Sequence, residues 1–168
     1  MQLRLSAVIK ESIVDGPGMR YVVFAQGCPH KCVGCHNPKT HDFSGGFDVF
    51  VEDILKDFDS NPFLDGITLS GGEPFSQSGV MLELAKGIKA RGKTVVAYSG
   101  WTYDELVSLS EKDRGIKKLL NCVDILIDGR YEETSKDLRL VFRGSKNQSI
   151  VDVVKSMECG MKYELSFD

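Results

Sequence analysis

Three short apolar runs constrain this chain more than any other feature: Ile67-Thr68-Leu69, Val95-Val96-Ala97 and Ile125-Leu126-Ile127. Each is continuous rather than alternating, as strands are when both faces of a parallel sheet are buried. Amphipathic stretches lie between them, so the chain reads as successive βα units. Strands are predicted over 3–9, 20–26, 66–70, 94–99, 123–128 and 139–142. Helices are predicted over 48–58, 77–91, 103–120 and 149–157. In the second helix Val80, Leu84 and Ile88 recur at helical spacing with Met81 and Ala85, and Gly92 suits its C-terminal cap. Residues 163–167 read equally as an edge strand or a tail. Five or six mostly parallel strands are too few for an eight-stranded barrel. The expected fold is therefore α/β, an open partial (β/α) barrel. No repeat, low-complexity tract or linker divides the 168 residues, so one domain over 1–168 is expected.

Composition narrows the function. With 42% hydrophobic and 27% charged residues, the chain has the make-up of an ordinary globular protein. No apolar run is long enough to span a bilayer, and the start Met1-Gln2-Leu3-Arg4 does not resemble a signal peptide. A cytoplasmic protein with no membrane partner is expected. The net charge of −3 argues against a nucleic-acid partner, which calls for a basic face. Five cysteines, three of them crowded into eight residues, suit a metal site in a reducing compartment better than a disulfide framework.

Those three are Cys28, Cys32 and Cys35, spaced C-x3-C-x2-C in the loop that follows the strand at 20–26. Three soft thiolates fit an iron–sulfur cluster with one iron left open to a small molecule. Two other readings stand beside it. With His30, His36 or His41 the same thiols could form a structural zinc site of three cysteines and one histidine. They could also be three unlinked thiols. Gly71-Gly72-Glu73-Pro74 follows the strand at 66–70, where two glycines let a ligand approach the backbone and the acid could take an amino group. Taken alone, that turn reads better as an ordinary βα loop; its value comes from standing at the end of the strand that follows the cysteine-loop unit. Ser99-Gly100-Trp101 and Asp128-Gly129-Arg130 follow the next two strands. In parallel βα architectures such loops share one face, and that face carries the site.

The cysteine loop followed by Gly71-Gly72-Glu73-Pro74 resembles the radical S-adenosylmethionine enzymes. Asp15-Gly16-Pro17-Gly18-Met19-Arg20 and Gly27-Cys28 narrow the resemblance to activases of glycyl-radical enzymes. Asp128-Gly129-Arg130-Tyr131 and the run from Phe142 to Gln148 are similar to the short activases that serve an anaerobic ribonucleotide reductase. Cys35-His36-Asn37-Pro38 is closer to the pyruvate formate-lyase activases, because the reductase group commonly has Tyr after the last cysteine. Gly34, where most of the superfamily has an aromatic residue, is shared with the reductase group.

The resemblance implies a 4Fe–4S cluster held by Cys28, Cys32 and Cys35, with S-adenosylmethionine as the ligand of the open iron. It implies that Gly34 and His36 flank the adenine, and that Gly71, Gly72 and Glu73 receive the methionine amino group through backbone carbonyls or the acid. Asp128 and Arg130 align with an Asp-x-Lys element that positions the methionine part and a monovalent cation, with Arg for Lys; a solvated charge pair in a βα loop is an equal reading. Trp101 reads as packing rather than pocket lining, His30 and His41 as loop residues, and Cys122 and Cys159 as buried small hydrophobes. The implied partners are the large subunit of the anaerobic reductase, or another glycyl-radical enzyme such as pyruvate formate-lyase. A reduced flavodoxin or ferredoxin is the implied electron donor, since no cysteines are left for an auxiliary cluster.

Overall fold

The three apolar runs pair side by side in the computed structural model, which describes residues 1–168. They lie in β4 (Gly66–Gly71), β5 (Thr94–Ser99) and β6 (Ile125–Asp128), and β2 (Arg20–Ala25) joins the parallel set beside β4. Antiparallel strands complete both flanks. β1 (Gln2–Ser12) pairs with β2, and β3 (Phe47–Phe50) pairs with β1. At the other flank β7 (Ser149–Asp152) pairs with β6, and β8 (Glu164–Leu165) pairs with β7. The result is an open mixed sheet in the order β3-β1-β2-β4-β5-β6-β7-β8.

Expectation and structure differ in ways that have physical causes. The sheet has eight strands rather than five or six, and three of its seven pairings are parallel. Two of the added strands were hidden at the starts of predicted helices. Residues 47–50 and 149–152 run extended before α1 (Val51–Asp59) and α5 (Val153–Cys159). Four residues are too few to show a period of two beside a helical pattern, and their hydrogen bonds come from distant partners in β1 and β6. The strand predicted at 139–142 does not form. Phe142 there has a positive φ of 61°, and its carbonyl accepts the Tyr98 hydroxyl at 2.9 Å. The predicted helix at 103–120 is two, α3 (Tyr103–Ser110) and α4 (Arg114–Cys122). Asp113 accepts the N–H groups of Gly115 and Ile116 at 2.7 and 3.1 Å, which starts a new helix instead of continuing the first. α2 (Ser78–Ala90) ends as expected, with Gly92 at φ 70° and its N–H on the Lys89 carbonyl.

The register gives the sheet two unlike faces. Ile67, Leu69, Val95, Ala97 and Leu126 point to one face, where they join Met81, Leu84, Ile88, Leu106 and Leu119 of the helices in a core of 28 buried residues. On the other face Val22, Thr68 and Val96 are aligned, as are Phe24 and Ser70. That face carries only a three-residue buried cluster of Val96, Ile127 and Ile150. The helices therefore cover one side of the sheet, and the other is available for a cavity. No helix is long and apolar enough to cross a membrane.

Gly79, in the first turn of α2, tests how far local propensity shapes this frame. A Cβ there would meet nothing within 4 Å. Gly79→Ala is expected to stabilise the fold by about 0.5–1 kcal/mol through helix propensity and a less flexible unfolded chain. The check is a higher urea midpoint at unchanged slope.

Candidate functional site

β2 leads directly into the cysteine loop, and the neck of that loop is pinned. The Gly27 N–H donates to the Thr40 carbonyl at 2.8 Å and the Cys28 N–H to the His41 carbonyl at 3.3 Å. The Gln26 amide donates to the carbonyls of Lys39 and Asp42 at 2.9 and 2.5 Å. Inside the loop, Lys31 (φ 51°) and Gly34 (φ 74°) take left-handed conformations that double the chain back. At Gly34 the positive φ itself resists replacement, because side chains with a Cβ rarely adopt it, whereas the nearby Glu133 carboxylate is the end of a flexible side chain that can give way.

All three cysteines are free; Cys28 is buried and Cys32 and Cys35 are half-buried. Burial pushes the Cys28 thiol up, while the backbone N–H groups of His30 and Lys31 pull it back down. The Asn37 N–H donates to the Cys35 sulfur at 3.4 Å. Such N–H···S contacts favour the thiolate, the form that binds iron. No three metal-binding side chains are gathered closely enough to hold a single ion. A cluster does not require that, because each thiolate takes a separate iron at a separate corner.

The three sulfurs share one cavity with the ends of the parallel strands. Its volume is about 680 Å³, and its walls include Cys28, Cys32, Cys35 and His36 from the loop after β2, and Gly71 and Gly72 after β4. Ser99 and Gly100 after β5, and Gly129 after β6, complete the rim. The size lies within the roughly 300–1,000 Å³ of small-molecule sites. Four successive strand ends thus converge where the pattern of βα loops indicated.

The glycine turn touches the cysteine loop backbone to backbone. The Gly72 N–H donates to the Ala25 carbonyl at 2.7 Å, and the Glu73 N–H donates to the Gly27 carbonyl at 2.8 Å. Glu73 itself turns inward and is fully buried. Its carboxylate accepts from the Phe75 N–H (3.1 Å), the Ser99 hydroxyl (3.0 Å), the Gly100 N–H (2.9 Å) and the His30 Nε2–H (2.8 Å). Four donors match the roughly four acceptor sites of a carboxylate. Of the two routes foreseen for a ligand amine, the acid is therefore already occupied, and the backbone of Gly71 and Gly72 faces the cavity.

Other side chains fall in places the sequence only partly indicated. His36 lines the cavity and lies 4.8 Å from the Tyr131 ring. The hydrogen bond from Tyr131 to Glu133 pushes its phenol up to about 12. His30, read as a loop residue, is buried against Glu73 and Trp101. Trp101 packs against the core, as expected. Asp128 and Arg130 do not pair with each other. Asp128 is buried and accepts the Tyr103 N–H at 2.6 Å and the Lys162 ammonium at 3.1 Å, whereas Arg130 bonds Glu105 at the surface. Cys122 is half-buried against the core and Cys159 is exposed, so neither is the fully buried small hydrophobe expected; each is the last residue of its helix. Arg143 lines the cavity, and its Nε is the one buried side-chain polar atom with no hydrogen-bond partner. No spacing rule points to Arg143 or His30, because their roles come from contacts between distant segments.

Comparison with known proteins bears on the same residues. A family model described as a 4Fe-4S single cluster domain matches residues 14–151. The anaerobic ribonucleoside-triphosphate reductase-activating protein of Haemophilus influenzae is 35% identical over 146 residues, covering 82% of this chain and 90% of that protein. Its namesake from Escherichia coli strain K12 is also 35% identical, covering 82% and 91%. The one from Enterobacteria phage T4 is 33% identical over 144 residues, covering 82% and 86%. The chain belongs to this family of reductase-activating proteins. The span matched by the single-cluster model runs from the approach to β2 into β7 and takes in the cysteine loop, the glycine turn and Arg143. A 4Fe-4S single-cluster match supports an iron–sulfur cofactor rather than zinc.

Proposed function

We propose that this protein is an activase that holds a 4Fe–4S cluster on Cys28, Cys32 and Cys35, binds S-adenosylmethionine, and installs a glycyl radical on anaerobic ribonucleoside-triphosphate reductase. The observation that carries this reading is the convergence of the three thiols with Gly71 and Gly72 on one cavity at the strand ends. The open sheet with one face turned to that cavity supports a partial barrel of the radical S-adenosylmethionine type. When bound, the cluster and S-adenosylmethionine supply one-electron cleavage of the sulfonium, giving methionine and a 5′-deoxyadenosyl radical that removes hydrogen from a glycine α-carbon.

The chain's own residues bind, orient and shield. The N–H groups of His30, Lys31 and Asn37 stabilise negative charge on the cysteine sulfurs. Gly71 and Gly72 leave room for an amine to reach backbone carbonyls. Gly34 and His36 flank the adenine, with His36 backed by Tyr131 to form an aromatic wall suited to a base. The Arg143 Nε–H is a cationic donor without a partner, which suits the methionine carboxylate. The electron comes from outside, from a reduced flavodoxin or ferredoxin, in the cytoplasm.

The test is anaerobic reconstitution with iron and sulfide, followed by dithionite and S-adenosylmethionine. The expected products are 5′-deoxyadenosine and methionine, with a glycyl doublet in electron paramagnetic resonance once the reductase is added. Stoichiometric zinc without cleavage would sink the reading. A doublet on a formate lyase but not on the reductase would move the partner to the sister enzyme, the group that His36 resembles.

A further inference from the structure

His30 sits between two of the three cysteines and borders the same cavity, and its ring turns to Glu73. Its ring is 5% exposed and donates from Nε2 to the fully buried Glu73 at 2.8 Å. The hydrogen must come from His30, because a carboxylate can only accept. The same ring meets Trp101 edge-on, with centroids 4.6 Å apart. Its seat exists because residue 100 is glycine, where a Cβ would lie 2.3 Å from the His30 ring. Glu73 in turn gathers Ser99, Gly100 and Phe75 from the neighbouring segments. One side chain therefore ties the cysteine loop after β2 to the turns after β4 and β5.

We propose that His30 is a positioning residue: its Nε2–H···Glu73 bond holds the cysteine loop in register with the Gly71-Gly72 turn. The inference rests on the activase reading above. Under that reading, the open iron is placed by Cys28, Cys32 and Cys35, and the amine seat by Gly71 and Gly72. A chelating ligand must reach both at once, so the separation between them sets its affinity. The loop and the turn are already joined by main chain at the neck, through Glu73 N–H to the Gly27 carbonyl. His30 adds a second tie three residues further on, inside the span that carries the sulfurs. Two ties fix an orientation where one leaves a hinge. Glu73 accordingly acts through His30 and the backbone rather than on the ligand.

The experiment uses the full chain, reconstituted anaerobically with iron and sulfide, as wild type, His30→Ala and His30→Gln. Glutamine places an amide N–H where the Nε2–H of histidine lies, so it preserves the bond and discards the ring. Each protein is reduced with dithionite and titrated with S-adenosylmethionine while the cluster's electron paramagnetic resonance spectrum is followed; iron is counted separately. In wild type the ligand is expected to shift the spectrum. In His30→Ala, iron content is expected to hold while the half-saturating ligand concentration rises on the order of 10-fold or more, the cost usual for loss of a supporting contact behind a metal site. In His30→Gln the midpoint is expected to return to within about threefold of wild type, as a restored hydrogen bond should. A purely structural histidine would change iron content or thermal stability without moving the ligand midpoint. Equal midpoints in wild type and His30→Ala would overturn the proposal, and so would a glutamine variant as impaired as the alanine one. Should His30→Ala fail to hold iron, the glutamine variant decides alone: a midpoint near wild type supports the tie, and a midpoint displaced tenfold or more removes it. A wild-type spectrum indifferent to S-adenosylmethionine would bring down the activase reading itself and this inference with it.

Discussion

Alanine at any one of Cys28, Cys32 and Cys35 is expected to abolish the cluster. Reconstituted iron should fall from about four per chain towards zero, because a cubane held at two corners is readily lost. Cleavage of S-adenosylmethionine should fall to background with it. The fold should survive, since Cys32 and Cys35 are only half-buried and the loop neck is held by main-chain bonds at Gly27 and Cys28 and by Gln26. Cys122→Ala and Cys159→Ala are the matched controls. Neither residue lines the cavity, and both variants should load iron fully. The measurement is iron and sulfide content beside far-ultraviolet circular dichroism. Full loading of a Cys32→Ala protein, or loss of iron from Cys159→Ala, would refute the ligand assignment.

A large stability effect is expected at Gly71. Its φ of 92° lies in the left-handed region, and a Cβ would sit 2.5 Å from the Ala25 nitrogen and 2.6 Å from Phe24 backbone atoms. No flexible side chain is there to yield; the obstacle is the main chain of β2. Gly71→Ala should cost about 3 kcal/mol or more, from backbone strain plus overpacking. At roughly 2–4 °C per kcal/mol for a chain of this size, the melting temperature should drop by about 10 °C. Gly92→Ala separates the two causes. Its φ is also positive at 70°, but nothing lies within 4 Å of a Cβ there, so only the conformational cost of about 1 kcal/mol should appear. Equal losses at the two positions would show that close approach to β2 contributes nothing.

That contrast also separates what could be read along the chain from what could not. The buried parallel strands were legible because Ile67-Thr68-Leu69, Val95-Val96-Ala97 and Ile125-Leu126-Ile127 are locally apolar, and a local signal survives in sequence. The flanking strands β3 and β7 were not, because each is four residues long and exists only through partners far away in the chain. The break between α3 and α4 was visible in principle as Asp113, a capping residue inside a long amphipathic stretch. The segment around Phe142 looked like a strand by composition, but it is irregular because it packs on the cavity face of the sheet and answers Tyr98.

The candidate site divides the same way. Spacing alone brought Cys28, Cys32 and Cys35 together, since ligands within one short loop need no tertiary information to be neighbours. The rule that loops at the carboxyl ends of parallel strands share a face then placed Gly71 and Gly72 beside them. Direction is another matter: whether Glu73 points at a ligand or into the protein depends on donors from its own turn and two other segments, and the structure turns it inward to Phe75, Ser99, Gly100 and His30. The sequence by itself determined the chemistry available here, three soft ligands and a glycine turn on successive βα units. Only the tertiary structure decided which side chains face the cavity and which hold the frame, because that choice is made by hydrogen bonds between residues dozens of positions apart.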